Sequence, residues 1–255
     1  MDKTVEYDSL KLDKSDWVLT SLGDLAKEIS KRVDNPSESD YKRFVGLEHF
    51  VSGDLRIKNY GTTKNLSSST KAFEKGDILL ARRNAYLRRA SLVEFDGVCS
   101  GDAFVLRENL EKIVPGFLAF IVNSNSMWDF ANANAAGTMS KRVKWRDLAN
   151  YEFLLPPKDQ QADLAKLLWA MDEVIDLELD VQNKLSLLIK SQSHDFFSRH
   201  QNNSTSLANI GNWLSGGTPS REKSQFWNGS IPWVSAKDMK TEYITSSQDK
   251  ITELA

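Results

Sequence analysis

The stretch DQQADLAKLLWAMDEVIDLELDVQNKLSLLIKSQSHDFFSR, residues 159–199, decides how the rest of the chain is read. It contains neither glycine nor proline. Leu164, Leu168, Met171, Ile175, Leu185 and Ile189 recur along it at alternating steps of four and three, with Glu178, Gln182 and Gln192 in the intervening places. That spacing is a coiled-coil seam on one long helix. Leu167, Val174, Val181 and Leu188 widen the stripe, which suits packing against more than one helix. At about 1.5 Å per residue the helix extends roughly 60 Å. A lone helix with so many leucines facing water is not stable, so the pattern predicts a partner helix, and the chain offers no second segment of the kind.

Working outward, the flanks of this helix resemble each other. Ser21-Leu22-Gly23-Asp24-Leu25 returns as Ser206-Leu207-Ala208-Asn209-Ile210, and Phe44-Val45-Gly46-Leu47-Glu48-His49-Phe50 returns as Trp233-Val234-Ser235-Ala236-Lys237-Asp238-Met239, at offsets of 185 and 189. The expected organisation is a first domain over 1–157, a spacer helix over 158–200 and the beginning of a second copy over 201–255. Trp213, Trp227 and Trp233 give that last part apolar groups, with too few strands to enclose them, so it is expected to be only partly ordered.

Composition narrows the function classes. With 40% hydrophobic and 27% charged residues in 255, the chain has room for one core and an appendage. No apolar run approaches a membrane span, and Met1-Asp2-Lys3-Thr4-Val5-Glu6 lacks the features of a signal peptide, so a cytoplasmic protein is expected. One cysteine, Cys99, excludes an internal disulfide framework. His49, His194 and His200 stand in unrelated contexts, and no zinc site is expected. The formal charge of -2 conceals an uneven distribution: residues 41–90 hold eleven Lys/Arg against four Asp/Glu, and residues 156–200 hold five against eight. A basic face, rather than a basic average, is what nucleic acid requires.

The first 157 residues read as an α+β domain. A short strand and then a helix are expected from Trp17 to Ser30, with Leu22, Leu25, Ala26 and Ile29 at helical spacing. Strands are expected at Phe44–Leu47, Ile78–Ala81, Ser91–Phe95 and Ala103–Leu106. Helices are expected from Pro115 to Val122, Met127 to Ala133 and Trp145 to Leu148, and Tyr151–Leu155 closes as a strand before Pro156-Pro157.

Three segments are candidates for touching DNA. Arg82-Arg83-Asn84-Ala85-Tyr86-Leu87-Arg88-Arg89 follows a strand and carries four guanidinium forks, which match phosphate oxygens and the acceptor edge of guanine, while Asn84 matches adenine and Tyr86 can stack. Thr138, Ser140, Lys141, Arg142 and Lys144 follow the Gly137 turn, where hydroxyls and free amides meet phosphates. Lys64, in the polar run 61–70, is a third and weaker candidate. Each segment reads equally as a solvated loop when taken alone. Neither a Gly-rich phosphate loop nor an Asn-Pro-Pro-Tyr-type methyltransferase motif is present. A rival reading groups Asp77, Glu94 and Asp102 around magnesium as a small nuclease, although each has a strand-and-turn context of its own.

Taken together, several motifs resemble the specificity subunit of a type I restriction-modification system. They are Trp17…Ser21-Leu22-Gly23-Asp24-Leu25, Gly76-Asp77-Ile78-Leu79-Leu80, Cys99-Ser100-Gly101-Asp102-Ala103-Phe104-Val105-Leu106, Gly137-Thr138, Leu154-Leu155-Pro156-Pro157-Lys158-Asp159-Gln160-Gln161, and Gly216-Gly217-Thr218-Pro219-Ser220…Trp227…Ile231-Pro232-Trp233-Val234-Ser235-Ala236-Lys237-Asp238-Met239. The resemblance implies a non-catalytic subunit with two target-recognition domains, each reading half of a bipartite duplex site. It also implies paired spacer helices that set the separation, and docking of methylation and restriction (motor) subunits. S-adenosylmethionine, ATP and magnesium would belong to those partners, with no cofactor on this chain. The sequence departs from the pattern in holding one full domain, one helix and part of a second domain. The expectation is therefore a homodimer paired through 159–199, with a truncated decoy or regulatory specificity protein as the alternative.

Overall fold

Two buried strands set the architecture. β7 (Ile78–Ala81) and β10 (Ala103–Glu108) pair antiparallel at the centre of a four-stranded sheet, flanked by β2 (Ala26–Glu28) on one side and β8 (Ala90–Leu92) on the other. Side chains alternate faces along a strand. Accordingly Ile78, Leu80, Phe104 and Leu106 enter one apolar cluster, while Leu79, Ala103 and Val105 enter another. Both faces are covered, which is why Ile78-Leu79-Leu80-Ala81 is apolar without a break.

The computed structural model describes residues 13–199, 205–241 and 243–255, which fall into two units, 1–185 and 186–255. Residues 1–12, assigned on sequence to the first domain, and His200 with 201–204, assigned to the end of the spacer and the start of the second copy, lie outside the described residues.

In the first unit the second cluster lies against a five-stranded sheet in the order β3 (Arg32–Val33), β6 (Thr70–Phe73), β9 (Gly97–Cys99), β4 (Arg43–Val45), β5 (Gly61–Thr62), where only β4 and β9 run parallel. Phe73, Val45 and Cys99 supply its side of the cluster. Burial pushes the Cys99 thiol up to about 12. The first cluster is covered instead by α2 (Leu118–Val122), α3 (Asn125–Ala133) and α4 (Trp145–Leu148), whose Leu118, Val122, Met127, Trp128 and Leu148 are buried. The α+β expectation holds: a strand-rich domain precedes a long helix.

Local expectations differ in several places. The expected helix to Ser30 is only α1 (Leu22–Leu25), preceded by β1 (Val18–Ser21) and followed at once by β2. Leu22, Leu25 and Ala26 are buried as helical spacing suggests, but residues 26–28 are taken by the open edge of β10. Tertiary pairing overrides local periodicity there. Ser21 caps α1 from both sides, accepting from the Asp24 amide and donating to the Asp24 carboxylate at 2.7 Å. That hydrogen bond and Lys112 hold the Asp24 carboxyl down at about 2. Pro115 precedes α2 rather than opening it, because Gly116 turns at φ +77° and Glu108 accepts from the Gly116 and Leu118 amides. β6 and β9, absent from the sequence reading, are a Thr-Lys-Ala-Phe strand and a Gly-Val-Cys strand, too short to announce themselves.

β11 (Glu152–Leu155) pairs with β1 and delivers the chain into α5 (Lys158–Arg199). The first turns of α5 are docked on the domain. Gln161, 1% exposed, accepts from the Val114 amide and donates to the Pro156 carbonyl, and Ala165 is buried. Trp169 meets the Phe120 ring edge-on at 4.7 Å between centroids. Leu164 and Leu168, expected in the pairing seam, are partly buried and pack against the domain's own core. Met171, Ile175, Leu185 and Ile189 remain more than half exposed.

In the second unit β12 (Trp227–Trp233) and β13 (Asp249–Ile251) pair antiparallel, with Trp227 and Trp233 edge-on at 5.3 Å. None of its described residues is buried. The matching motifs nevertheless make comparable turns. Ser21 and Ser206 both cap a short helical turn with their hydroxyl oxygen. In the second motif His49 Nδ1 accepts from the Gly46 amide at 2.9 Å, and Asp238 Oδ2 accepts from the Ser235 amide at 2.8 Å. His49 and Asp238 occupy matching places and do the same work with different chemistry.

Candidate nucleic-acid interface

The chain leaves β7 at Ala81 and does not stop pairing. The Arg82 amide donates to the Asp102 carbonyl and the Arg82 carbonyl accepts from Val143, both at 2.9 Å. Arg83 bridges Arg142 in antiparallel fashion, and the Asn84 amide donates to the Lys141 carbonyl at 2.8 Å. Residues 82–84 and 141–143 thus run side by side, although about sixty positions separate them in sequence.

Each partner then folds into a tight turn. Asn84 (φ 54°) and Arg88 (φ 48°) are both left-handed and bracket a single 3-10 turn, Ala85–Leu87, anchored by the buried Ala85. Asparagine tolerates that conformation because its short side chain hydrogen-bonds locally; for Arg88 it is strained. The turn presents Tyr86 and Leu87 to solvent. On the other side Ala136 and Arg142 exchange backbone hydrogen bonds at 3.0 and 2.9 Å, closing a hairpin that Gly137 begins at φ +124° and whose tip carries the fully exposed Met139.

The cations at this edge fall into four kinds. Lys141 and Lys144 are exposed and have no carboxylate partner among the described residues. Arg142 Nε donates to Asp102 Oδ1 at 3.1 Å and Arg83 Nε lies 3.5 Å from Asp102 Oδ2, so one carboxylate pairs with two arginines. Arg82 lies over the Phe104 ring at 5.7 Å. Arg88 and Arg89 differ. Arg88 donates to Asn125 at 2.7 Å, and Arg89 donates to the Leu47 and Arg83 carbonyls, where burial works against its charge. Arg89 is a brace for the turn rather than a free fork. Thr138 is exposed at the hairpin, and the Ser140 hydroxyl is enclosed without a hydrogen-bond partner among the described residues. Lys64 stands apart, just after β5 at the edge of the other sheet.

The backbone pairing brings segments 82–89 and 141–144 together, and Asp102 pairs with one arginine from each, Arg83 and Arg142. The three acids of the nuclease reading do not meet. Asp77, 2% exposed, is held by Arg107 at 2.8 and 2.9 Å, Glu94 pairs with Arg56 at 3.5 Å, and Asp102 serves Arg83 and Arg142. Among the described residues no group of three acidic, histidine or cysteine side chains is placed to hold a metal ion.

The family model described as the type I restriction modification DNA specificity domain matches residues 14–187. The specificity subunit of the type I restriction enzymes EcoR124I/EcoR124II of Escherichia coli is 58% identical over 50 residues, 19% of this chain and 12% of that protein. The HindI specificity subunit of Haemophilus influenzae is 23% identical over 195 residues, covering 72% of this chain and 41% of the relative. Among solved structures, the specificity subunit of Thermoanaerobacter tengcongensis superimposes with a TM-score of 0.52 at 24% identity, over 69% of this chain and 48% of that one. A structure of the type I system, solved for its assembly and conformational transition, gives 0.54 at 22% identity, over 85% and 60%. The chain thus spans less than half the length of these curated relatives. No helix among the described residues is long and apolar enough to cross a membrane.

Proposed function

The chain belongs to the type I restriction-modification DNA specificity family, and on that premise we propose that its first domain reads double-stranded DNA with the paired segments 82–89 and 137–144. The observation that carries this reading is the backbone pairing of residues 82–84 with 141–143, which joins two basic segments far apart in sequence into one edge. Lys141 and Lys144 contact phosphates, with Thr138 and Ser140 beside them. Arg82, Arg83, Arg142 and Asn84 face base edges, Asp102 presents Arg83 and Arg142, and Tyr86 packs on the duplex. Arg88 and Arg89 hold the turn, and Lys64 adds a phosphate contact at the margin.

The domain is a reader without chemistry of its own. Methylation and restriction subunits, which carry S-adenosylmethionine, ATP and magnesium, dock on the same polypeptide in the cytoplasm. The stripe of Met171, Ile175, Leu185 and Ile189 is the surface that pairs with the same helix of a second copy. The test is selection from a randomised duplex pool, followed by sequencing of the bound fraction. Enrichment of a defined half-site that is lost in Arg82→Lys/Arg83→Lys supports the reading. Binding with no sequence preference overturns it.

A further inference from the structure

Residues 54–58 tie three parts of the first unit together. Leu55 and Ile57 exchange backbone hydrogen bonds with Leu92 at 2.8 and 3.0 Å, which adds this segment to the free edge of β8, the strand that leaves the arginine turn. From the same segment Arg56 reaches α5. Its guanidinium stands 4.1 Å over the Trp169 ring, pairs with the half-buried Asp172, and lies 3.5 Å from Glu94. Lys58 bridges Asp176 at 2.6 Å and Asp54 at 3.3 Å. On the helix, Gln161, Ala165, Trp169, Asp172 and Asp176 follow one another at steps of four, four, three and four, a second stripe distinct from the apolar one. Beneath it, Gly116 leaves room for the indole: a Cβ there would stand 3.1 Å from Trp169 Nε1.

We propose that Arg56 and Lys58 are positioning residues whose contacts with Trp169, Asp172 and Asp176 fix the rotation and direction of α5 on the domain, and thereby the direction in which the arginine turn faces relative to the helix. Apolar packing alone tolerates sliding and rolling of a helix. Two charged struts four residues apart, one clasped over an aromatic ring, do not. The consequence for spacing between DNA half-sites rests on the reading proposed above, but the geometry is measurable without DNA.

The experiment uses the full chain with spin labels at Leu87→Cys and Lys184→Cys, both exposed, while buried Cys99 stays unlabelled. With the labelled chain diluted in excess unlabelled parent protein, so that only distances within one chain are read, pulsed electron-electron distance measurement gives one narrow distribution. Arg56→Gln/Lys58→Gln broadens it at least twofold, and Arg56→Lys/Lys58→Arg restores it, an outcome that mere loss of stability does not produce. Asp176→Asn, at the more exposed strut, gives an intermediate width and serves if the double variant fails to fold. An unchanged distribution in a folded Gln/Gln variant or in Asp176→Asn overturns the proposal. If the distances respond but half-site spacing in the bound pool does not, the latch stands and the DNA reading fails.

Discussion

Replacing Lys141 and Lys144 with alanine separates phosphate contact from base reading. Both side chains are exposed and without carboxylate partners among the described residues, so their removal leaves no buried charge and little change in fold. Each phosphate contact contributes a slope of about -0.9 in log affinity against log salt. Loss of two flattens the slope by about 1.8. Between 50 and 200 mM salt, a fourfold change, the double variant therefore loses roughly twelvefold less affinity than the parent. Arg82→Lys/Arg83→Lys is the counterpart: charge is kept and the planar fork is lost. Its slope stays near the parent's, while discrimination against wrong bases falls by about 1–3 kcal/mol per lost bidentate pair. Fluorescence anisotropy on the enriched duplex and on a scrambled one, at four salt concentrations, measures both quantities. Parallel salt lines for Lys141→Ala/Lys144→Ala and the parent would refute the assignment of phosphate contact to this hairpin. Unaltered discrimination in the Lys/Lys variant would refute base reading by the arginine turn.

Cys99 provides a probe of the space between the two sheets: with its thiol pushed from 9.0 to about 12, the thiolate fraction at pH 8 falls by about a thousandfold, so a thiol reagent should label it only after denaturation. Gly97→Ala places a Cβ 2.7 Å from both the Arg43 carbonyl and the Phe73 ring, and overpacking of this kind should destabilise the domain by about 1–3 kcal/mol in urea titration. The Asp24 carboxyl, held at about 2 rather than 3.8, contributes stability that is present above pH 3.8 and lost as pH falls toward 2; carboxyl NMR should place its midpoint there and show it rising in Ser21→Ala. Purified chain at micromolar concentration should scatter light as a dimer, and Leu185→Glu/Ile189→Glu should return it to a monomer; a monomeric parent would count against pairing through the stripe.

The parts of the fold legible in sequence were those whose period is long. α5 announces itself because forty residues without glycine or proline leave no other reading, and β7 because four apolar residues in a row demand cover on both faces. Short pairings were hidden for a physical reason. β2 and β6 owe their conformation to the edges of β10 and β9, not to their own propensities, so Ala26-Lys27-Glu28 looks helical until β10 is beside it. The repeat was legible in its serines and obscured at His49 and Asp238, since the turn needs an acceptor for a backbone amide and does not specify which.

The site shows the same division between local and non-local information. Four arginines in eight residues and a basic cluster after Gly137 were visible, but either segment alone is equally a solvated loop. Only the pairing of Arg83 with Arg142 makes them one surface, and no periodicity within either segment encodes a contact across sixty positions. The structure also sorts side chains that composition treats as equal. Arg89 spends both terminal groups on carbonyls, Arg142 binds Asp102 through Nε, and Asp102 changes from a candidate metal ligand into the carboxylate that pairs with two arginines. Along α5 the apolar stripe drew attention from the one that contacts the domain, because Gln161, Trp169, Asp172 and Asp176 share no hydropathy. Their kinship lies in partners, the Pro156 carbonyl, Arg56 and Lys58, so a helix reads as two-faced only once the charges opposite it are known.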